Sequence, residues 1–184
     1  MKKLFIPIVL GTAREGRISE KVAHYVFNEV SALDTFGTQL VDVKDHLFGK
    51  TAEYSEAAKG WKDIMTKADG LIIVSPEYNR GIPGELKILI DSLDEEYIKK
   101  PVAIVGVSSG KWGGSRMAEA ILPTLVTLGM VPISPSIPFP VAQNLFDADG
   151  KILDDSYGTK IASMVKEMSW YAEVLKDARE KLND

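Results

Sequence analysis

Cysteine is absent from this 184-residue chain, and histidine occurs only at His24 and His46. Disulfides, iron–sulfur ligation and thiol redox chemistry are thereby excluded, and a histidine-rich metal site is argued against, so no metal is expected. No apolar run is long enough to span a bilayer. The short one at Leu4–Leu10 ends in a glycine loop with no small-residue cleavage site, which predicts a first strand rather than a secretion signal. Positive charge is not in excess. A net charge of -4 argues against general affinity for nucleic acid or an anionic membrane, so an anion would need a local cluster. If the chain handles electrons, a bound organic cofactor must carry them. The missing cysteines agree with a cytoplasmic location.

What is present is ordinary globular composition, 45% hydrophobic and 26% charged. The length suits one domain of roughly 100–200 residues, so residues 1–184 are read as a single domain. Apolar runs and amphipathic helices alternate throughout. Strands are predicted at Leu4–Leu10, Thr38–Val43, Leu71–Val74, Pro101–Val107 and Val131–Ile133, the last brief and proline-flanked as an edge strand would be. Between them fall helices with one apolar face. The first starts at Ser19 as its N-cap and buries Val22, Ala23, Val26, Phe27 and Val30. The second uses Ala57, Ala58, Trp61, Ile64, Met65 and Ala68, and the third, opened by Pro83, uses Leu86, Leu89, Ile90 and Leu93. The fourth spans about Ser115 to Leu128, burying Met117, Ile121, Leu122 and Leu125, and stops at Gly129. The last runs from about Tyr157 to Leu182 with Ile161, Met164, Val165, Met168, Tyr171, Leu175 and Ala178 in a stripe. This repeat predicts an α/β, flavodoxin-like, doubly wound five-stranded parallel sheet of order 2-1-3-4-5 with helices on both faces. Residues 132–155, with four prolines, read as a functional loop or a subunit contact. Within them Asp147-Ala-Asp149-Gly150 reads as a turn rather than a calcium loop, because Lys151 occupies a ligand position.

Ligands of such a sheet bind beyond the carboxyl ends of the strands, where strand order reverses, here between strands one and three. The loops after those strands carry the chain's most distinctive residues. Gly11–Ser19 offers a phosphate the hydroxyls of Thr12 and Ser19, the guanidinium forks of Arg14 and Arg17, and a helix N-terminus. The alternative is a plain strand-to-helix connection with two solvated arginines. Ser75–Gly84 holds Pro76, Glu77, Tyr78 and Asn79 on a path fixed by Gly81, Pro83 and Gly84, so that Tyr78 can face a flat ring and Asn79 can bond its polar rim. A third loop, Ser108–Gly114, carries Gly110, Gly113 and Gly114, which would let backbone approach that ring; otherwise it is a flexible turn. One ligand with a phosphate at one end and a ring system at the other, such as flavin mononucleotide (FMN), would use all three. No G-x-G-x-x-G occurs, and Gly106–Trp112 lacks the spacing and hydroxyl of a P-loop. His24, His46, Trp61 and Trp170 are read as structural, and Trp112 as a possible neighbour of the ring.

In order along the chain stand Gly11-Thr-x-Arg-x-Gly-Arg-x-Ser19, Pro76-Glu-Tyr-Asn79-x-x-x-Pro-Gly-x-Leu-Lys87 with Asp91, and Ser108-x-Gly110-x-x-Gly-Gly114-x-Arg116. Together they resemble the NADPH-dependent FMN reductase family, which includes quinone, chromate and azo-dye reductases. The resemblance extends to about Gly129. It implies a flavodoxin-like fold, non-covalent FMN, NAD(P)H as co-substrate, a small-molecule electron acceptor and a homodimer or homotetramer. It also implies that Thr12, Arg14, Arg17 and Ser19 hold the phosphate, that Pro76 to Asn79 line the isoalloxazine, and that Ser108, Gly110, Gly113 and Gly114 close its other edge. Arg17 and Arg80 depart from the family's usual residues, and either could instead reach a pyridine-nucleotide phosphate. No side-chain catalytic acid or base is expected. The resulting expectation is an FMN-dependent NAD(P)H oxidoreductase acting on a quinone, free flavin or similar acceptor. A flavodoxin-type electron carrier and a flavin-binding regulatory protein are the alternatives.

Overall fold

The computed structural model describes residues 3–46 and 56–182. Along each strand, successive side chains point to opposite faces, so an unbroken apolar run serves two cores at once. The strands are β1 (Ile8–Leu10), β2 (Leu40–Asp42), β3 (Leu71–Pro76), β4 (Pro101–Val107), β5 (Val131–Pro132) and β6 (Ile137–Phe139). Ile8, Leu10, Ile72, Val74, Ala103, Val105 and Val107 face a core shared with α1 (Ser19–Leu33) and α5 (Ser156–Leu182). Val9, Val41, Leu71, Ile73, Val102 and Ile104 face the other, shared with α2 (Glu56–Lys67), α3 (Gly84–Ile90) and α4 (Ser115–Thr127). In that second core the Trp61 indole N–H donates to the Tyr97 hydroxyl at 2.7 Å, satisfying both groups where water cannot reach.

Strand order is β2-β1-β3-β4-β5, all parallel, as the alternating pattern predicts. Leu10 at the end of β1 lies in register with Asp42 of β2 and Val74 of β3. Pro76 at the end of β3 lies beside Val107 of β4. The carboxyl ends of β1, β3 and β4 therefore open onto a common rim.

Four expectations need correction. The fifth strand position is filled by two pieces rather than by Val131–Ile133: β5 pairs with Pro101 and Val102, and β6 pairs with Val105 to Val107. Prolines at 132, 135 and 138 lack the N–H that a continuous ladder requires, and the Ser134–Pro135 bond between the pieces is cis. Ser19 is the first residue of α1, not its cap; Ile18 takes the cap position, and the Ser19 hydroxyl is buried with no hydrogen-bond partner among the described residues. Leu122 is largely exposed on α4, where Ala118 is buried instead. Ala178 is exposed, since the apolar stripe of α5 is buried only as far as Ala172 and frays beyond it. Ala57 belongs to α2, but its side chain lies outside the described residues. Gly129, at φ +73°, ends α4 as expected.

Candidate active site

At the common rim lies an open pocket of about 400 Å³, walled by Arg14 to Ser19, Pro76 to Tyr78 and Val107 to Ser109. It is the crevice that strand order places between β1 and β3. The two principal loops are joined directly, since the Thr12 and Tyr78 hydroxyls lie 3.1 Å apart. Thr12 is fully buried, and its Oγ1 also accepts from the Arg14 N–H at 3.3 Å. Its hydroxyl is thus a joint between loops.

The two arginines differ. Arg14 is exposed, stands 6.0 Å from the Tyr78 ring centroid, and pairs with no carboxylate among the described residues. Arg17 is buried. Its Nη1 donates to Asp42 Oδ1 at 2.9 Å and to the Thr12 carbonyl, and its Nη2 to Asp42 Oδ2 and, at 3.4 Å, to Glu20. Burial would lower its pKa, but the bonds and charge of Asp42 and Glu20 outweigh that and raise it. Burial would likewise raise the Asp42 carboxyl; bonds from Arg17 and Lys44 win and hold it below the ordinary carboxylate range. Ser19 is a residue of the pocket wall, and its hydroxyl is buried with no hydrogen-bond partner among the described residues.

Across the pocket, the Glu77 N–H donates to the Val107 carbonyl at 3.0 Å, pinning the second loop to β4. Tyr78 and Gly81 exchange backbone hydrogen bonds of 3.0 and 2.9 Å, which closes a two-residue turn. Asn79 and Arg80 occupy it at φ +50° and +65°. Positive φ at both central positions is the type I′ geometry that asparagine tolerates well, whereas arginine there costs about 1–2 kcal/mol per residue. The turn thus accounts for Asn79 by its backbone. One Glu77 oxygen lies 3.5 Å from Arg116, and the other is buried with no hydrogen-bond partner among the described residues.

The third loop divides. Ser108 Oγ donates to the Gly110 carbonyl at 2.9 Å, and Gly110 faces open space. Gly113 and Gly114 do not reach the pocket wall. A Cβ on Gly114 would stand 2.4 Å from the Val107 nitrogen, and one on Gly113 2.7 Å from Pro138. They let the loop lie flat on β4 and β6. The segment after β5 completes this support: Ser108 N–H bonds the Phe139 carbonyl, Phe139 N–H the Gly113 carbonyl, Val141 N–H the Gly110 carbonyl and Ala142 N–H the Ser108 carbonyl, at 3.0–3.2 Å. Part of the proline-rich stretch is therefore a brace for the site. Trp112 is half exposed beyond the wall, with Lys111 and Arg116 about 5 Å from its ring.

Asp42 is the residue that sequence reasoning missed. The signal was present, because order 2-1-3 puts the end of β2 beside the loop after β1, within reach of a long basic side chain. Asp147 behaves as expected, its Oδ1 accepting from the N–H groups of Asp149 and Lys151 in a turn.

Residues 5–144 match the family described as NADPH-dependent FMN reductase. The chain belongs to that family. A quinone reductase of Pseudomonas putida is 30% identical over 175 residues, covering 90% of this chain and 93% of that one. An NAD(P)H-dependent FMN reductase of Pseudomonas aeruginosa is 36% identical over 107 residues, which cover 55% of this chain and 58% of that relative. The fold is that of the FerB flavoenzyme NAD(P)H:(acceptor) oxidoreductase from Paracoccus denitrificans, at a TM-score of 0.76 and 23% identity over 92% of this chain and 97% of that one. Membership makes this an oxidoreductase with FMN as cofactor and NAD(P)H as co-substrate. The pocket fits the cofactor on its own terms. Residues Arg14 to Ser19 bring to one pocket wall a helix N-terminus and, among the described residues, a hydroxyl without a partner and a guanidinium without a carboxylate, the donors a phosphate requires. Tyr78, whose ring centroid is 6.0 Å from Arg14, and Ser108–Ser109 line the rest of the pocket.

Proposed function

We propose that the chain takes electrons from NAD(P)H through FMN held in this pocket and delivers them to a quinone, free flavin or similar small acceptor. The observation that carries the reading is the buried, partnerless Ser19 hydroxyl at the start of α1, on the wall it shares with Arg14 and Tyr78. A buried hydroxyl left unbonded costs about 1–3 kcal/mol, a penalty that a bound phosphate oxygen removes. The quinone reductase from Pseudomonas putida supports the acceptor class.

In this reading Ser19, the first N–H groups of α1 and Arg14 hold the phosphate, and Thr12 keeps Tyr78 in place. Pro76, Glu77, Tyr78 and Asn79 line the isoalloxazine; Ser108 and Gly110 border its other edge, with Gly113 and Gly114 seating that loop on the sheet. FMN, when bound, supplies the hydride acceptor and electron donor. The protein's part is to orient the ring, bond its rim and leave one face open to reactants, which needs no side-chain acid or base. We place the protein in the cytoplasm as a homodimer or homotetramer.

The test is direct. Purified protein should be yellow, bleach anaerobically with NADPH or NADH, and recover its colour on addition of a quinone. Protein that stays colourless after incubation with excess FMN removes the reading.

A further inference from the structure

We propose that Asp42 is a positioning residue for the flavin phosphate, acting through Arg17, and that Arg17 is an internal strut rather than a phosphate ligand. The inference rests on the FMN reading above. Asp42 sits at the carboxyl end of β2, in register with the last residue of β1. Its carboxylate takes both arms of the Arg17 guanidinium, with side chains only 15% and 4% exposed. That bidentate pairing fixes direction as well as distance. The carboxylate is itself anchored, by the Lys44 N–H at 3.0 Å and the Lys44 ammonium at 3.1 Å.

Arg17 then spends its remaining reach on the loop. It donates to the Thr12 carbonyl, and Thr12 in turn meets Tyr78 through its hydroxyl. One guanidinium therefore ties the start of the loop, the end of the loop and the neighbouring strand together. Gly16, at φ +64°, turns the chain just before Arg17, and Ser19 follows two residues after it. Fixing Arg17 fixes where the Ser19 hydroxyl and the first N–H groups of α1 point. For Arg17 to grip a phosphate through both Nη atoms the Asp42 pair would have to break, and its side chain is only 4% exposed. Arg14 has no such commitment among the described residues.

FMN and riboflavin titrations of the apo protein, followed by flavin fluorescence, test this. Asp42→Ala and Arg17→Ala should each weaken FMN by about tenfold, the worth of one charge-assisted hydrogen bond, and riboflavin by no more than about twofold. The double variant should be no worse than the weaker single one, because the two residues act as a unit. Asp42→Asn, which preserves volume, should fall between Asp42→Ala and the unaltered protein, and it decides the matter if the alanine variant does not fold. FMN affinity unchanged or raised in the Asp42 variants overturns the proposal, a rise meaning that Arg17 has been freed to bind phosphate itself. Equal losses for FMN and riboflavin also overturn it, since they mark general damage to the pocket. Failure of the unaltered protein to bind FMN would instead remove the functional reading.

Discussion

The loop after β1 is held by side-chain charge, whereas the loop after β4 is held by backbone. In the first, Arg17 reaches Asp42, Glu20 and the Thr12 carbonyl. In the second, four main-chain hydrogen bonds from residues 108–142 and two glycines pressed on the sheet do the same work with no charged group. A phosphate needs a cationic surround, so its loop can borrow that chemistry for its own framework. In the loop after β4 the missing Cβ atoms serve the seat on the sheet, while Val107 to Ser109 face the pocket. The consequence is a difference in sensitivity: the first loop should respond to ionisation, and the second to steric bulk.

Steric substitution in the loop after β4 should give the largest effect. Gly114→Ala places a Cβ 2.4 Å from the Val107 nitrogen at φ +82°. We expect a loss of about 3 kcal/mol, read as a lower midpoint in urea unfolding. Gly110→Ala meets nothing within 4 Å and should leave stability within about 0.5 kcal/mol of the parent. Equal losses at the two positions would erase the distinction between brace and open edge.

At the other loop the effect should fall on ligand rather than on fold. Ser19→Ala should lower FMN affinity roughly tenfold while leaving the apo protein as stable or slightly more so, because a partnerless buried hydroxyl has been removed. Arg14→Ala should weaken FMN by a similar factor of about ten and flatten the dependence of binding on salt. A Ser19→Ala protein that loses stability but keeps its flavin would reverse the assignment.

The smallest effect is in titration. The folded Asp42 carboxyl lies below its unfolded value, so its contribution is fully present above the unfolded pKa of about 3.9 and is lost as pH falls through the folded one. Carbon-13 NMR should place the Asp42 midpoint below the ordinary range, and Arg17→Met should move it up. No comparable acid sensitivity is expected for the glycine loop.

Strand order, helix faces and the meeting of the two loops were legible in the sequence, because the continuous apolar run at Leu71–Val74 and the 3.6-residue period at Met117–Leu125 are local. The Arg17–Asp42 pair was not, as its partners lie 25 positions apart and depend on which strands are neighbours. Asn79 was read as a ligand because its residue type suits both a rim contact and a left-handed turn, and only the φ value shows the second. β6 was hidden by Pro138 within it and Pro135 just before it. Gly113 and Gly114 read as letting backbone approach the ring, but Gly114 presses on Gly106 and Val107 of β4 and Gly113 on Pro138 and Phe139 of β6, a strand the pattern did not reveal.

The split at the fifth strand position bears on solubility. A sheet that ends in a long regular strand offers a row of free donors and acceptors on which further chains can grow. Here that boundary is two short pieces, with proline at 132, 135 and 138. The opposite boundary, β2, is three residues long. Neither margin offers a template for runaway polymerisation, so a crowded solution of this protein should form fibrils slowly.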